Sequence, residues 1–143
     1  MQKTLKFLIF IFVCVVIILV SLKHPQVCFK QNCFDVEIAN TDIRRAQGLM
    51  GINSLDENKG MLFVFNKEDN YSFWMKNTLI PLDIIWMDKG GKVIFIKENA
   101  QPCTNDNCPY IISDTKAKYV LEINAGKAGE INLKTGDNLD INL

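Results

Sequence analysis

The stretch LDIIWMDKGGKVIFIKEN, residues 82–99, predicts a β-hairpin. Two apolar runs of strand length flank the turn DKGG at residues 88–91, and its glycines accept the positive φ angles of tight turns. Pro81 comes directly before the first run, where its missing N–H removes no hydrogen bond from a ladder. We therefore expect antiparallel strands in this part of the chain.

Further short strands are predicted on both sides of the hairpin. The segment CFDVEIA at residues 33–39 alternates apolar and polar residues, which is typical of a half-buried strand. MLFVF at residues 61–65 is a continuous apolar run that suits a strand buried on both faces. YSFWM, AKYVLEINA and NLDINL add further strands, and NKEDN at residues 66–70 is predicted to be a loop. The pattern predicts a mainly β fold, a compact antiparallel β-sandwich or barrel-like domain with one or two short helices.

One of these short helices is predicted over IRRAQ, residues 43–47. Thr41 lies in a polar stretch that can cap its start, and Gly48 is a natural stop. We expect Ile43 and Ala46 to face the core and the two arginines to face solvent.

The first 23 residues predict a signal anchor or a cleavable signal peptide. Lys3 and Lys6 precede an apolar run that continues to Leu22, and no acidic residue occurs before Asp35. The end of the run lacks the small residues of a cleavage site, which favours an uncleaved anchor in the membrane through residues 5–22. Residues 24–33 are predicted to be a juxtamembrane linker and residues 34–143 a single domain.

Four of the five cysteines lie beyond this segment, in two Cys-x4-Cys pairs: Cys28 with Cys33, and Cys103 with Cys108. Such pairs in polar surroundings beyond an export signal indicate disulfides and an oxidising compartment, so we expect a periplasmic or extracellular domain, secreted if the segment is cleaved. Pairing within each pair is the expected connectivity. Zinc is disfavoured by the wide spacing, and a redox role by the lack of a helix start beside Cys103.

The charge balance and the single histidine argue against nucleic-acid binding and against histidine-dependent catalysis or metal binding. Without Lys3, Lys6 and Lys23 the chain holds 13 basic and 16 acidic residues, which disfavours nucleic-acid binding. The single histidine, His24, lies in the predicted linker. A Ser-His-Asp site or a His-ligated zinc therefore cannot form within the domain, and we expect no metal and no cofactor.

Polar residues interrupt the aromatic run at Lys76, Asn77 and Thr78. A polar loop between two aromatic strands is a common arrangement for a small-ligand pocket. The same residues also suit a connection whose side chains bond the local backbone. The sequence leaves both interpretations open.

Three carboxylates, Asp83, Glu98 and Glu122, lie inside strand-like segments. A pair of them in different environments would suit acid–base catalysis. Because strand residues alternate between faces, we expect these side chains to point to water instead.

The motifs RRAQGLMG, GMLFVF, SFWMKNTLIPLDIIWMD, ENAQPCTNDNCP and YVLEINAG resemble domain-of-unknown-function family 192 (DUF192). The resemblance covers residues 36–143 and implies a compact, mostly β, sandwich-like domain that is often exported or membrane-anchored. It implies no activity. It also implies that polar residues of the pattern meet one another or a ligand; these are Lys76, Asn77, Thr78, Asp83 and Glu122.

Together these observations predict a membrane-anchored domain outside the cytoplasm that binds a small molecule, an envelope component or a partner protein through residues 76–83. The candidate ligand-binding residues are Trp74, Lys76, Asn77, Thr78, Asp83 and Glu122. Two alternatives remain: a carboxylate-dependent hydrolase acting on glycans or other envelope material, and a thiol–disulfide redox protein that uses Cys103 and Cys108.

Overall fold

The structure, a computed structural model, describes residues 24–143. The strands are β1 (Gln26–Phe29), β2 (Asn32–Ala39), β3 (Lys59–Asp69), β4 (Ser72–Phe73), β5 (Leu82–Met87), β6 (Val93–Ala100), β7 (Ile111–Ile112), β8 (Ala117–Asn124) and β9 (Asp140–Asn142). The helices are α1 (Asp42–Gln47) and α2 (Lys127–Glu130). The described part is thus mainly β with two short helices, as the sequence predicts.

Seven strands form one sheet in the order β6-β5-β8-β3-β2-β1-β9, and β4 pairs with β7 separately. All neighbouring pairs are antiparallel except β2 and β3, which are parallel because the connection through α1 returns the chain to the same end of the sheet. The edges approach each other where Val93 N–H donates to the Asp137 carbonyl at 2.8 Å and Leu139 N–H donates to the Gly91 carbonyl at 2.9 Å. The sheet is therefore a curled half-barrel.

The curled sheet buries an apolar cluster on each face. One cluster joins Val27 of β1 to Val93 of β6, and since these strands lie toward opposite ends of the sheet, this cluster fills the inside of the curl. The second cluster, with Phe63 and Trp86, lies on the outer face beneath Leu49 and the β4 residue Phe73. Alternation along β3 sends Leu62 inward and Phe63 outward, so this strand is buried on both faces as predicted.

Helix α1 begins one residue before the predicted start, and its orientation is only partly as predicted: Arg44 faces solvent as expected, but Ile43 and Ala46 are exposed as well. Thr41 caps it by accepting a hydrogen bond from the Arg44 N–H, and Gly48 follows its last residue. Ile43 is 80% exposed, whereas Arg45 lies against the sheet and donates to the Val64 carbonyl at 2.9 Å. The β3–β8 ladder is irregular after Val64, so the Arg45 guanidinium supplies a donor that the neighbouring strand does not.

Three further boundaries differ from the prediction. Residues 26–29 of the predicted linker form β1, which pairs with both β2 and β9 and belongs to the folded domain. The predicted loop at 66–70 is largely strand, because β3 resumes pairing beyond the irregularity and joins Asp69 to Ala117. In YSFWM only Ser72 and Phe73 form a strand. Beyond them, the Met75 carbonyl accepts hydrogen bonds from the N–H groups of Thr78 and Cys103.

Both cysteine pairs lie at disulfide distance in the predicted local pairing. Cys28 and Cys33 face each other across the β1–β2 hairpin, and Cys103 and Cys108 close the loop between β6 and β7. The predicted anchor over residues 1–23 lies outside the described residues. Within residues 24–143 neither helix has the length and apolar character needed to cross a membrane.

Candidate functional site

A cavity of about 330 Å³ opens on the outer face of the sheet, between α1, β3, β4 and β8. Apolar surface dominates its lining, and six of the sixteen lining residues are aromatic. The aromatic residues that line it are Phe63, Phe65, Tyr71, Phe73, Trp74 and Tyr110. Alternation on β3 directs Phe63 and Phe65 to this face, and the chain after β3 brings the other aromatic residues over them.

The aromatic lining has a buried part and an exposed rim. In the buried part, the ring of Phe73 meets that of Phe63 edge-on at 4.8 Å. At the rim, Trp74 stacks on Tyr110 with ring centroids 5.5 Å apart, and these side chains are 36% and 63% exposed. The rim rings are therefore available to a ligand, while the deeper rings are fixed by core packing.

Glu122 forms part of the cavity lining and is only 5% exposed. Its strand neighbours in register are Met61 on β3 and Ile84 on β5, so apolar residues surround it along the sheet. Its Oε2 atom is buried and has no hydrogen-bond partner among the described residues. Burial raises the pKa of Glu122 from 4.5 to about 8, so the carboxyl is mostly protonated at pH 7.

Gly48 keeps the space beside this carboxyl open. Its φ of +50° lies in the region that favours glycine. A Cβ atom at this position would lie 3.3 Å from the Phe63 ring and 3.9 Å from Glu122 Oε2. A side chain at residue 48 would thus fill the part of the cavity next to the unpartnered oxygen.

The charged residues on the α1 side of the cavity neutralise each other. The Arg45 guanidinium forms an ion pair with Asp42 and also lies 5.4 Å from the centre of the Phe65 ring. Because it also donates to the Val64 carbonyl, Arg45 is engaged by the protein itself. It covers one wall of the cavity and does not offer a free positive charge.

The three residues of the polar insert, 76–78, have different roles. Thr78 is buried and lines the cavity. Asn77 adopts a φ of +56°, and its main chain joins three segments, because its N–H donates to the Cys103 carbonyl and its own carbonyl accepts from Gly51 N–H, both at 2.9 Å. Lys76 lies at the rim, with its ammonium group 5.6 Å from the Trp74 ring centre and 3.6 Å from the Asp106 carboxylate.

Asp83 does not belong to this site. It pairs in register with Ile123, the residue after Glu122, and therefore points to the opposite face of the sheet. It is fully buried, and its two oxygens accept from Asn99 N–H at 2.9 Å and from Ala128 N–H at 2.8 Å. Asp83 thus ties the end of β6 and the start of α2 to the inside of the half-barrel.

The expected exposure of the carboxylates is wrong for Asp83 and Glu122 and right for Glu98, which is exposed on β6. Residues of β5 and β8 belong to the apolar clusters on both faces of the sheet, so neither face is open to water at these positions. The structure brings Trp74, Thr78 and Glu122 together and leaves Asp83 and Glu98 elsewhere. Within residues 24–143 no three His, Cys, Asp or Glu side chains cluster in a way that could hold a metal ion.

Several lining residues were missed by the sequence reasoning. The sequence predicts strands that contain Phe63, Phe65 and Tyr71 and gives no sign that these residues line a cavity. It also predicts that Arg45 faces solvent, whereas all four residues line the cavity. The segment after α1 carried the available signal, because its glycine and the following residues belong to the family motif RRAQGLMG. Residues 48–50 all line the cavity.

The fold and the cavity define a small, mainly β domain with an aromatic pocket on the outer face of a curled sheet. The DUF192 family, described as Uncharacterized ACR, matches residues 26–141, and the chain belongs to this family. The match includes β1 and thus agrees with the structure in placing residues 26–33 inside the domain.

Two solved structures resemble the chain over most of its length. A protein of unknown function from Novosphingobium aromaticivorans DSM 12444 is 34% identical, with a TM-score of 0.74 and coverage of 81% of this chain and 83% of that one. A candidate transcription regulator from Sinorhizobium meliloti 1021 is 33% identical, with a TM-score of 0.75 and coverage of 82% and 92%. No curated protein matches the chain.

Proposed function

We propose that this protein binds a small organic molecule in the cavity that contains Glu122. The observation that carries the proposal is the Oε2 atom of Glu122, which is buried beside the cavity without a hydrogen-bond partner. An unsatisfied buried polar group costs about 1–3 kcal/mol, and a ligand that pairs with it recovers part of this cost. The energetic gain favours occupancy of the cavity.

The size and lining of the cavity support the same proposal. Its volume of about 330 Å³ falls at the lower end of the range usual for small-molecule sites, roughly 300–1,000 Å³. Aromatic walls with few polar groups are also typical of such sites. Thr78 and Glu122 are the buried polar residues of the lining, and they would orient the ligand.

We further propose that the domain lies outside the cytoplasm, anchored to the membrane by residues 5–22. The basic start and the apolar run support the anchor. The two cysteine pairs at disulfide distance support an oxidising compartment.

The two alternative functions have less support from the geometry. A hydrolase that uses two carboxyls needs both in one cleft, roughly 5–9.5 Å apart, whereas Asp83 and Glu122 point to opposite faces of the sheet. A redox role would use the pair Cys103 and Cys108, but the main chain of Cys103 is bonded to Met75 and Asn77 in a manner that suits a structural loop.

The proposal is tested by chemical-shift mapping of the full-length protein in detergent micelles. One-ring aromatic probes are added separately: benzylamine, benzyl alcohol and benzoate. We expect at least one probe to shift the amide signals of Gly48, Thr78 and Glu122 in a saturable manner. Shifts confined to other surfaces, or no shifts with any probe, would contradict the proposal.

A further inference from the structure

We infer that the molecule bound in the cavity is an organic cation, with an ammonium or amidinium group beside Glu122 and a small organic body between the aromatic rings. The inference rests on the proposed function, since it names the chemical class of the ligand for the same cavity. Three features of the described residues carry it: the aromatic walls, the balance of charge around the cavity, and the unpartnered carboxyl.

The walls of the cavity are largely aromatic and contain one buried acidic group, Glu122. Six aromatic side chains line the cavity, and the stacked pair of Trp74 and Tyr110 stands at its rim. Cations are attracted to the faces of aromatic rings, most strongly when water is excluded. Lys76 already places its ammonium group 5.6 Å from the Trp74 ring centre, so this rim accepts positive charge within the protein itself.

The charged groups of the lining can compensate one positive charge on a ligand but no negative charge. Asp42 and Arg45 line the cavity and form an ion pair with each other. Among the described lining residues the remaining ionisable groups are Glu122, Tyr71 and Tyr110. An anionic ligand would therefore meet no unengaged cation in the lining, whereas a cationic ligand would form a neutral pair with ionised Glu122.

The carboxyl can pair with a cation by giving up its proton. The raised pKa means that Glu122 is protonated in the empty cavity near pH 7. When an ammonium group binds, the carboxyl O–H bond breaks, its proton leaves to solvent, and an ammonium N–H donates to the resulting carboxylate. One positive charge enters and one proton departs, so the charge of the site is unchanged.

This exchange makes the affinity for a cation depend on pH. The other titratable or charged groups that line the cavity are Asp42 and Arg45 from α1, Tyr71 before β4 and Tyr110 before β7, and the neighbours of Glu122 on β3 and β5 are apolar. We assign the change in cation affinity between pH 6 and pH 8 to the titration of Glu122. With a pKa of about 8, its ionised fraction rises about 50-fold over this interval, and the affinity for a permanent cation should rise equally.

The experiment measures the binding of benzylamine, benzyl alcohol and benzoate to the full-length protein by isothermal titration calorimetry at pH 6, 7 and 8. Benzylamine remains a cation over this range, and the other probes have similar size. We expect benzylamine to bind tightest, with an affinity that rises about 50-fold from pH 6 to pH 8. Repeating the titration at pH 7 in two buffers with different ionisation heats should show the release of close to one proton per benzylamine.

The variant Glu122→Gln and its control Glu98→Gln separate the site from general effects of charge. Glu98 is exposed on a different strand, so E98Q should bind benzylamine as the wild type does. E122Q should lose the pH dependence and most of the affinity for benzylamine. If E122Q does not fold, the pH dependence and the proton release of the wild type still decide the inference.

The outcomes distinguish this inference from the proposed function. If benzyl alcohol or benzoate binds in the cavity as tightly as benzylamine at pH 8, the cation inference is wrong and the binding function stands. Benzylamine affinity that is independent of pH would also overturn the inference. If none of the three probes binds, both the inference and the proposed function are contradicted.

Discussion

Asp83 and Glu122 lie on neighbouring strands of one sheet and are both buried, yet their surroundings differ completely. Asp83 faces the inside of the half-barrel, where two backbone N–H groups donate to its oxygens. Glu122 faces the outside, where Oε2 has no partner among the described residues and the cavity begins. Both acids occur in similar apolar sequence, LDIIW and VLEIN.

Hydrogen-bond satisfaction distinguishes the two acids: both oxygens of Asp83 accept from backbone N–H groups, whereas Oε2 of Glu122 has no donor among the described residues. A buried acid with two well-placed donors stabilises the elements that carry these donors. A buried acid without donors destabilises the empty protein, and such a cost is characteristic of sites that a ligand completes. Asp83 accordingly secures β6 and α2, whereas Glu122 is the residue that we propose to bind the ligand.

The largest expected effect is that of Asp83→Ala. The substitution leaves the N–H groups of Asn99 and Ala128 unpaired inside the protein, and we expect it to lower the free energy of unfolding by about 4 kcal/mol. Urea unfolding followed by the fluorescence of buried Trp86 measures this. Asp83→Asn keeps one acceptor and should lose about half as much. A loss below about 1 kcal/mol for the Ala variant would contradict the structural role of Asp83.

The second effect is a pH dependence of stability that belongs to Glu122. Its pKa is raised from 4.5 in the unfolded chain to about 8 in the folded protein, so the folded state binds more protons between these values. The contribution of Glu122 to stability is therefore fully present below pH 4.5 and is lost as the pH rises through about 8. From pH 6 to pH 8 the loss should be about 2 kcal/mol.

The variant Glu122→Gln does not titrate and should lack this slope. Unfolding of both proteins by urea at pH 6, 7 and 8 measures the difference. We expect the stability of E122Q relative to the wild type to increase with pH, while Glu98→Gln follows the wild type throughout. Parallel curves for E122Q and the wild type would show that Glu122 does not carry the raised pKa.

An effect of similar size on stability is expected from the loop that carries Tyr110. The pair Cys103 and Cys108 holds this loop at the rim, where the Cys103 N–H donates to the Met75 carbonyl at 3.1 Å. Replacing both cysteines with serine should cost about 2 kcal/mol of stability, the loop-entropy value for so short a loop. It should also weaken benzylamine binding about 2- to 5-fold, because the loop positions one aromatic wall.

The other cysteine pair provides the matched control. Cys28 and Cys33 join β1 to β2, and neither residue lines the cavity. Their double serine variant should lose a similar amount of stability and retain the wild-type affinity for benzylamine. Equal losses of affinity in both double variants would show that the Cys103–Cys108 loop has no specific part in the site.

The smallest expected effect is that of Tyr110→Leu. Its side chain is 63% exposed, so the change should alter the free energy of unfolding by less than about 0.5 kcal/mol. The loss of one stacked ring should still reduce the affinity for benzylamine about 2- to 5-fold. Thermal unfolding and calorimetry on the same samples measure both quantities. Unchanged affinity would remove Tyr110 from the site.

Much of the fold is predictable because it depends on local sequence. The hairpin at residues 82–99, the capped helix α1 and the two local cysteine pairs each follow from residues close together in the chain. The orientation of Arg45 is not predictable in this way, since it depends on an irregularity in the β3–β8 ladder. The parallel pairing of β2 and β3 likewise depends on how distant segments assemble.

The site is predictable only in part, for the same reason. The family pattern selects Thr78 and Glu122, the sequence offers Trp74 as a further candidate, and the structure gathers all three in one cavity. The same pattern selected Asp83, whose role depends on donors that lie 16 and 45 residues away in sequence. No residue close to Asp83 or Glu122 in the sequence shows which of the two accepts hydrogen bonds from the backbone and which faces a cavity.

The most direct test of this account is a titration of the Glu122 side-chain carboxyl by ¹³C NMR, with the signal assigned by its absence from E122Q. We predict a pKa of about 8 in the free protein and a markedly lower pKa when benzylamine is saturating. A carboxyl that titrates near 4.5 in the free protein, and that benzylamine does not shift, would contradict the central claim.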